Sequence, residues 1–232
     1  MRARPPEIRK PGLREPISRP PVVRSAAGWY TPATVLLYDS GVSGNCYKVR
    51  QLFAHLGIEY ERREVDVIDR SGREELLGAL NPALRVPTLV FDDGRSMGES
   101  DAIMFYFAEG TPYLPDDRWE RAQVLQWLFF EQYSHEPNIA VARFWLIAGI
   151  TPSQADAEAK RRGGTAALRA MEGHLANGRD YLVGDRYSIA DIALYAYTHV
   201  APEAGFELEP YPAIGAWLER VAAQPGHILI TD

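Results

Sequence analysis

The stretch Thr34-Val35-Leu36-Leu37-Tyr38-Asp39-Ser40-Gly41-Val42-Ser43-Gly44-Asn45-Cys46-Tyr47-Lys48-Val49-Arg50 decides the fold. Residues 34–38 are apolar or β-branched and read as a buried strand. Small turn-forming residues follow. Then Val49, Leu52, Phe53 and Leu56 recur at helical spacing up to Gly57, a residue suited to closing a helix. A strand therefore runs through a turn into a helix. The N-terminus of that helix offers unpaired N–H groups and about half a positive charge, which stabilise an anion. A thiolate placed there has its pKa lowered. The Ser43 hydroxyl and the Asn45 amide are donors at this point. Two readings stand side by side: donors to a bound anion, or a plain N-cap and turn residue.

Outward from this stretch, residues 60–67 alternate enough for a second strand, and 73–80 suit a short helix closed by Asn81-Pro82. Residues 88–91 read as a third strand, Asp92-Asp93-Gly94 as a hairpin turn, 95–97 as a fourth strand and 102–109 as a helix. A helix crossover makes the first two strands parallel, and the hairpin adds an antiparallel edge. This order is that of a thioredoxin-like α/β domain. After a linker containing Pro112 and Pro115, every pattern is helical. The segments are 119–146, with a bend near Pro137, then 153–176, then 192–197 behind the capping pattern Ser188-Ile189-Ala190-Asp191, then 212–223. The expected organisation is a thioredoxin-like domain over 31–112 followed by an all-helical domain over 118–232.

Residues 1–30 differ from the rest. They hold seven basic and two acidic side chains and six prolines, and read as a disordered, basic, proline-rich extension. The whole chain has 232 residues and a net charge of −6, so the remainder carries −11. An acidic balance argues against duplex nucleic acid as partner. The longest apolar run, 139–150, is interrupted by Arg143, whereas a spanning helix needs about 20 apolar residues. The N-terminus lacks the apolar region of a secretory signal, so a membrane partner and export are not expected. The single cysteine rules out an intrachain disulfide and suits a reducing compartment. None of the five histidines forms a metal-binding pair with another, and no metal is expected.

Two further motifs bear on function. Arg85-Val86-Pro87-Thr88 precedes the third strand. A cis bond at Pro87 turns the Val86 backbone toward a ligand pairing like an added strand; a trans bond makes it an ordinary strand entry. Gly98-Glu99-Ser100-Asp101-Ala102-Ile103 opens a helix with two carboxylates and a hydroxyl. They suit both ends of an amino-acid zwitterion, or plain capping.

Taken together, these stretches resemble the glutathione transferase superfamily in its cytosolic bacterial form. The matching residues are Tyr38 with Ser43 to Cys46 and Lys48-Val49-Arg50, Asn81-Pro82 with Val86-Pro87, Glu99 to Ile103, and the Ser188 to Asp191 cap; the resemblance spans about 34–225. It implies that glutathione is the co-substrate, with Ser43 at the sulfur and a cis Pro87. Val86 then pairs with the cysteinyl unit, and Glu99 and Ser100, beside Asp101, take the γ-glutamyl end. Arg85 falls near the glycyl end. Asn45 and Lys48 are similar to the Asn-x-x-Lys signature of classes acting on disulfides. The resemblance also implies a cytoplasmic homodimer with Asp101 near the interface, and a small electrophile held by the helical domain. The expected activity is conjugation of glutathione to that electrophile. The alternatives are glutathione-dependent disulfide or peroxide reduction, and a non-catalytic binding protein.

Gly41 stands where many members have proline, and Leu84 where Asn-Pro-x-Gly has glycine, which bears on the loop conformations. Cys46 lacks the partner of a C-x-x-C pair, because Ser43 occupies the first position. It is read as a buried hydrophobe, with mixed-disulfide chemistry as the alternative. Phe129, Phe130, Tyr133, Phe144 and Trp145 form an aromatic stripe, mostly core, part of which can face the sulfur. Tyr133 and His135 are the candidates for the electrophile pocket, and Arg143 reads as a buried ion-pair partner.

Overall fold

A strand that ends in a buried aspartate sets the geometry of everything after it. The computed structural model describes residues 35–232, together with the backbone of the short pair β1 (Val23–Arg24) and β2 (Tyr30–Thr31). The expected disordered extension over 1–30 lies, apart from these strands, outside the described residues. Strand β3 (Val35–Asp39) leads through a four-residue turn into α1 (Gly44–Leu56). Asp39 is fully buried; Arg50 reaches both of its oxygens at 2.7 and 2.8 Å, and the Ser40 N–H donates to it at 2.8 Å. The turn is thus locked to the second turn of the helix that follows it.

The strands β4 (Glu61–Glu64), β3, β5 (Thr88–Phe91) and β6 (Ser96–Gly98) lie in that spatial order. β3 and β4 are parallel, as the crossover requires, and β5–β6 is antiparallel, as the hairpin requires; β3–β5 is antiparallel too. β4 is shorter than the predicted 60–67. Its Glu-Arg-Arg-Glu side chains are all exposed, the charged character expected at a sheet edge. The helices α2 (Arg73–Leu77) and α3 (Ser100–Ala108) complete this part.

α1 is buried on nearly every side because it lies between two cores. Val49 and Phe53 pack with Val35, Leu37, Leu89 and Ile103 of the sheet side. Tyr47 and Leu52 join the larger core of the helical part. The last residues of the chain return to this helix: Ile228 O accepts from the Tyr47 hydroxyl at 2.9 Å and Ile230 O from Arg50 at 2.5 Å.

The helical domain holds α4 (Arg118–Phe130), α5 (Glu136–Ile147), α6 (Gln154–Leu175), α7 (Ile189–Thr198) and α8 (Pro212–Ala222). The predicted single helix over 119–146 is broken by a π-helical turn, Glu131–His135, immediately before Pro137 in the first turn of α5. All ten residues of α7 are buried. Its capping box forms as read: Ser188 caps Ala190 N, and Asp191 accepts the Ser188 N–H at 3.0 Å. Asp191 is fully buried and also accepts from Leu182 N at 3.0 Å and Trp217 Nε1 at 2.9 Å. Burial raises its pKa to about 6 against those donors.

Candidate functional site

Ser43 is the N-cap of α1, with extended backbone angles, and its Oγ accepts from Cys46 N at 3.3 Å. A hydroxyl used as an acceptor keeps its one proton to donate elsewhere. Ser43 lines a cavity of about 370 Å3, within the usual span of ligand pockets. Asn45, Arg85 and Val86 line it too, from one side, and Val141, Phe144 and Ile147 of α5 face them from the other. The Val86–Pro87 bond is cis. The Val86 main chain forms no hydrogen bond with another described residue.

Asn45 is held at the junction of the two domains. Its N–H donates to the Tyr197 hydroxyl at 3.2 Å, its Nδ2 to Glu136 at 3.3 Å, and its Oδ1 accepts from Ser100 Oγ at 3.4 Å. Tyr197 approaches this close because residue 44 is glycine: a Cβ there would lie 2.6 Å from the ring.

Behind this wall stands a buried ionic cluster. Lys48 Nζ is fully buried and reaches Glu131 at 2.7 Å, Asp101 at 3.1 Å and Ser100 Oγ at 3.4 Å. Burial works against the Lys48 charge, but Asp101 and Glu131 outweigh it and raise its pKa. Burial pushes Glu131 up to about 8, against the pull of Lys48. Glu131 belongs to the π-helical turn, so the break in the α4–α5 helix is where the helical domain supplies a counter-charge to α1.

Glu99 is exposed and has φ +63, an unusual angle for a side chain other than glycine. Ser100, Asp101 and Pro87 stand beside the cavity rather than in its lining, joined to it through the Ser100–Asn45 contact and the Val86–Pro87 bond. Tyr133 and His135 are not brought to this cavity. Tyr133 is 86% exposed, and His135 is fully buried with its Nε2 3.0 Å from Thr198 Oγ1. The Thr198 hydroxyl donates to Leu194 O at 2.7 Å, an arrangement that suits a His135 ring with its proton on Nε2. Burial first, then nearby Lys48, lowers its pKa to about 3. Of the aromatic stripe, Phe144 alone lines the cavity.

Residues that the sequence reading did not single out for binding also line it. Arg70, Arg73, Arg143, Glu136 and Tyr197 are there, giving four arginines against one glutamate in a chain of net charge −6. Arg143 pairs with Glu203 at 2.6 Å and donates to Val42 O at 2.6 Å, the structural role expected of it, at the cavity wall. Nothing in local sequence marks Tyr197, which lies in a wholly apolar run. Leu84 takes φ +54, so the loop keeps a glycine-like bend without the glycine. Cys46 is fully buried, and burial, followed by the Asp39 charge, raises its pKa. That state suits a packing role rather than a nucleophile. Among the described residues no group of three His, Cys, Asp or Glu side chains could hold a metal, and no helix is long and apolar enough to cross a membrane.

Sheet order, helix cap and helical partner define a thioredoxin-like protein with an appended helical domain. The sequence models described as "Glutathione S-transferase, N-terminal domain" and "Glutathione S-transferase, C-terminal domain" match residues 37–114 and 124–225. The chain is 31% identical to glutathione S-transferase 3 of Zea mays, over 83% of this chain and 91% of the relative. The crystal structure of a glutathione S-transferase from Pseudomonas fluorescens is 46% identical with a TM-score of 0.82, over 85% of this chain and 99% of that one. The disulfide-bond oxidoreductase YfcG of Escherichia coli is 28% identical, over 78% of this chain and 87% of the relative. The chain belongs to the glutathione S-transferase family.

Proposed function

We propose that the protein is a glutathione transferase that joins the glutathione sulfur to a small apolar electrophile. The observation that carries this reading is the convergence of Ser43, Arg85 and Val86 on one cavity to whose far wall α5 brings the apolar side chains Val141, Phe144 and Ile147 beside Glu136 and Arg143. In it, the Val86 backbone pairs with the cysteinyl unit and Arg85 takes the glycyl carboxylate. Glu99 and Ser100, beside Asp101, take the γ-glutamyl end. The excess of arginines suits a ligand with two carboxylates.

A free thiol with pKa near 8.5 is only about 7% ionised at pH 7.4. The Ser43 hydroxyl and the N-terminus of α1 favour the thiolate over the thiol. The sulfur then forms a bond to the electrophilic carbon while the leaving group departs with its electron pair. Holding both reactants supplies the rest of the acceleration. Calorimetric titration with glutathione and S-hexylglutathione, beside turnover of 1-chloro-2,4-dinitrobenzene, tests the reading. Binding of both ligands and a rate lowered in Ser43→Ala are expected; no binding of either ligand contradicts it.

A second reading, glutathione-dependent disulfide reduction, is favoured by the half-buried Asn45 amide on the same cavity. It predicts turnover of a glutathione mixed disulfide, lost in Asn45→Ala, and little conjugation. The transferase reading also carries with it a cytoplasmic homodimer, which sedimentation at micromolar concentration tests.

A further inference from the structure

The cavity wall opposite Ser43 carries a guanidinium whose donors are not all in use. Arg143 of α5 shares that wall with Val141, Phe144 and Ile147, and only 9% of its side chain meets solvent. Its Nε donates to Glu203 and its Nη1 to Val42 O, each at 2.6 Å. Its Nη2 has no hydrogen-bond partner among the described residues, and it is not one of the atoms closed off from solvent. Two N–H groups thus remain free on a residue that lines the cavity. Glu203 is not part of the lining; its side chain is 53% exposed, so water shares the charge it sets against Arg143.

The other three arginines of the cavity do not duplicate this group. Arg73 is spent on main-chain carbonyls, Leu84 O at 3.2 Å and Asp66 O at 3.0 Å. Arg70 and Arg85 are exposed and come from the thioredoxin-like domain. Arg143 is therefore the cation on the apolar wall, where a nearly dry setting strengthens a charge-assisted hydrogen bond. The Glu136 carboxylate on the same wall is engaged by Asn45 Nδ2 at 3.3 Å. We infer that the electrophile carries a carboxylate: its apolar skeleton lies against Val141, Phe144 and Ile147, and its acid group meets Arg143 Nη2. The inference rests on the transferase reading and narrows its electrophile, with Arg143 as the residue that sets the specificity.

The test is a matched pair of substrates, 4-(bromomethyl)benzoate and the neutral 4-(bromomethyl)benzamide. In each, the glutathione sulfur forms a bond to the benzylic carbon, and bromide leaves with the electron pair of the C–Br bond. Wild type should favour the carboxylate by about tenfold in kcat/KM, each rate taken relative to the uncatalysed reaction; this is the size of one charge-assisted hydrogen bond. Arg143→Gln should bring the ratio close to one, and Arg143→Lys should keep part of it. The ratio is read within one protein, so a turn loosened by loss of the Val42 O contact slows both substrates and leaves it unmoved. By calorimetry, S-(4-carboxybenzyl)glutathione should bind wild type more tightly than S-benzylglutathione, and Arg143→Gln should bind the two alike. Turnover of both substrates without a preference in wild type, or a preference that survives in Arg143→Gln, overturns the inference and leaves the transferase reading intact. No turnover and no binding of either adduct overturns both.

Discussion

The Tyr197 hydroxyl, from the most buried helix of the second domain, receives the N–H of Asn45 at 3.2 Å in the first turn of α1. One of the free donors of the anion-binding helix end is therefore used to dock the two domains. The Cys46 N–H goes to the Ser43 cap. What remains for a ligand is the Ser43 hydroxyl, the Gly44 edge of the helix and its dipole. The helical domain thus fixes the helix end on which the thiolate chemistry is proposed to take place.

Gly44→Ala tests this docking. The added methyl would lie 2.6 Å from the Tyr197 ring, and the ring is held by the core around it. Overpacking of this kind costs about 1–3 kcal/mol. Urea denaturation should show a loss in that range, and a variant as stable as wild type would mean that the two elements part freely.

Among the described residues Lys48 is the one cation that reaches Glu131 and Asp101, so Lys48→Met leaves both carboxyls without their counter-charge, Glu131 in a fully buried place. Breaking one side of a buried ion cluster costs about 3–5 kcal/mol. Adding Glu131→Met should return part of that loss. A double variant no better than the single one would show that the two residues are not coupled.

Asp191→Ala strands buried donors on Leu182, Ser188 and Trp217 together. Each unsatisfied group costs about 1–3 kcal/mol, so a loss of at least ~3 kcal/mol is expected by chemical denaturation. Ser188→Ala, which removes only the cap hydroxyl, should cost about 1 kcal/mol.

His135 gives a pH dependence with a fixed sign. Its pKa in the folded protein is lowered to about 3 by burial and Lys48, from 6.5 when exposed. The unfolded chain therefore binds the extra proton between those values, and stability falls as pH drops from 6.5 toward 3. Stability measured against pH should have a shallower acid limb in His135→Asn. An unchanged slope would place the titration elsewhere.

Much of this was legible in the sequence because it rests on local rules. The Ser43 cap, the Gly57 stop, the Ser188–Asp191 box and the parallel–antiparallel order of the sheet follow from residue type and spacing. The strand at 61–64 was harder to bound, since an exposed edge strand of four charged residues has no apolar alternation. The sequence shows only a proline bend where the π-helical turn at 131–135 lies, because the demand that creates the turn is tertiary: it brings Glu131 to Lys48. For the same reason His135 went inward to Thr198 instead of to the cavity. Tyr133, on the same turn, went to solvent. The wall opposite Ser43 came from the next face of α5, which periodicity alone cannot assign to a ligand or to a core.

The most direct test of the central claim is an ultraviolet titration of the glutathione thiolate bound to wild-type protein and to Ser43→Ala. The account predicts a bound thiol pKa below the free value near 8.5 in the wild type, raised back toward it in Ser43→Ala with binding largely kept. A bound thiol that titrates like free glutathione in both proteins would contradict it.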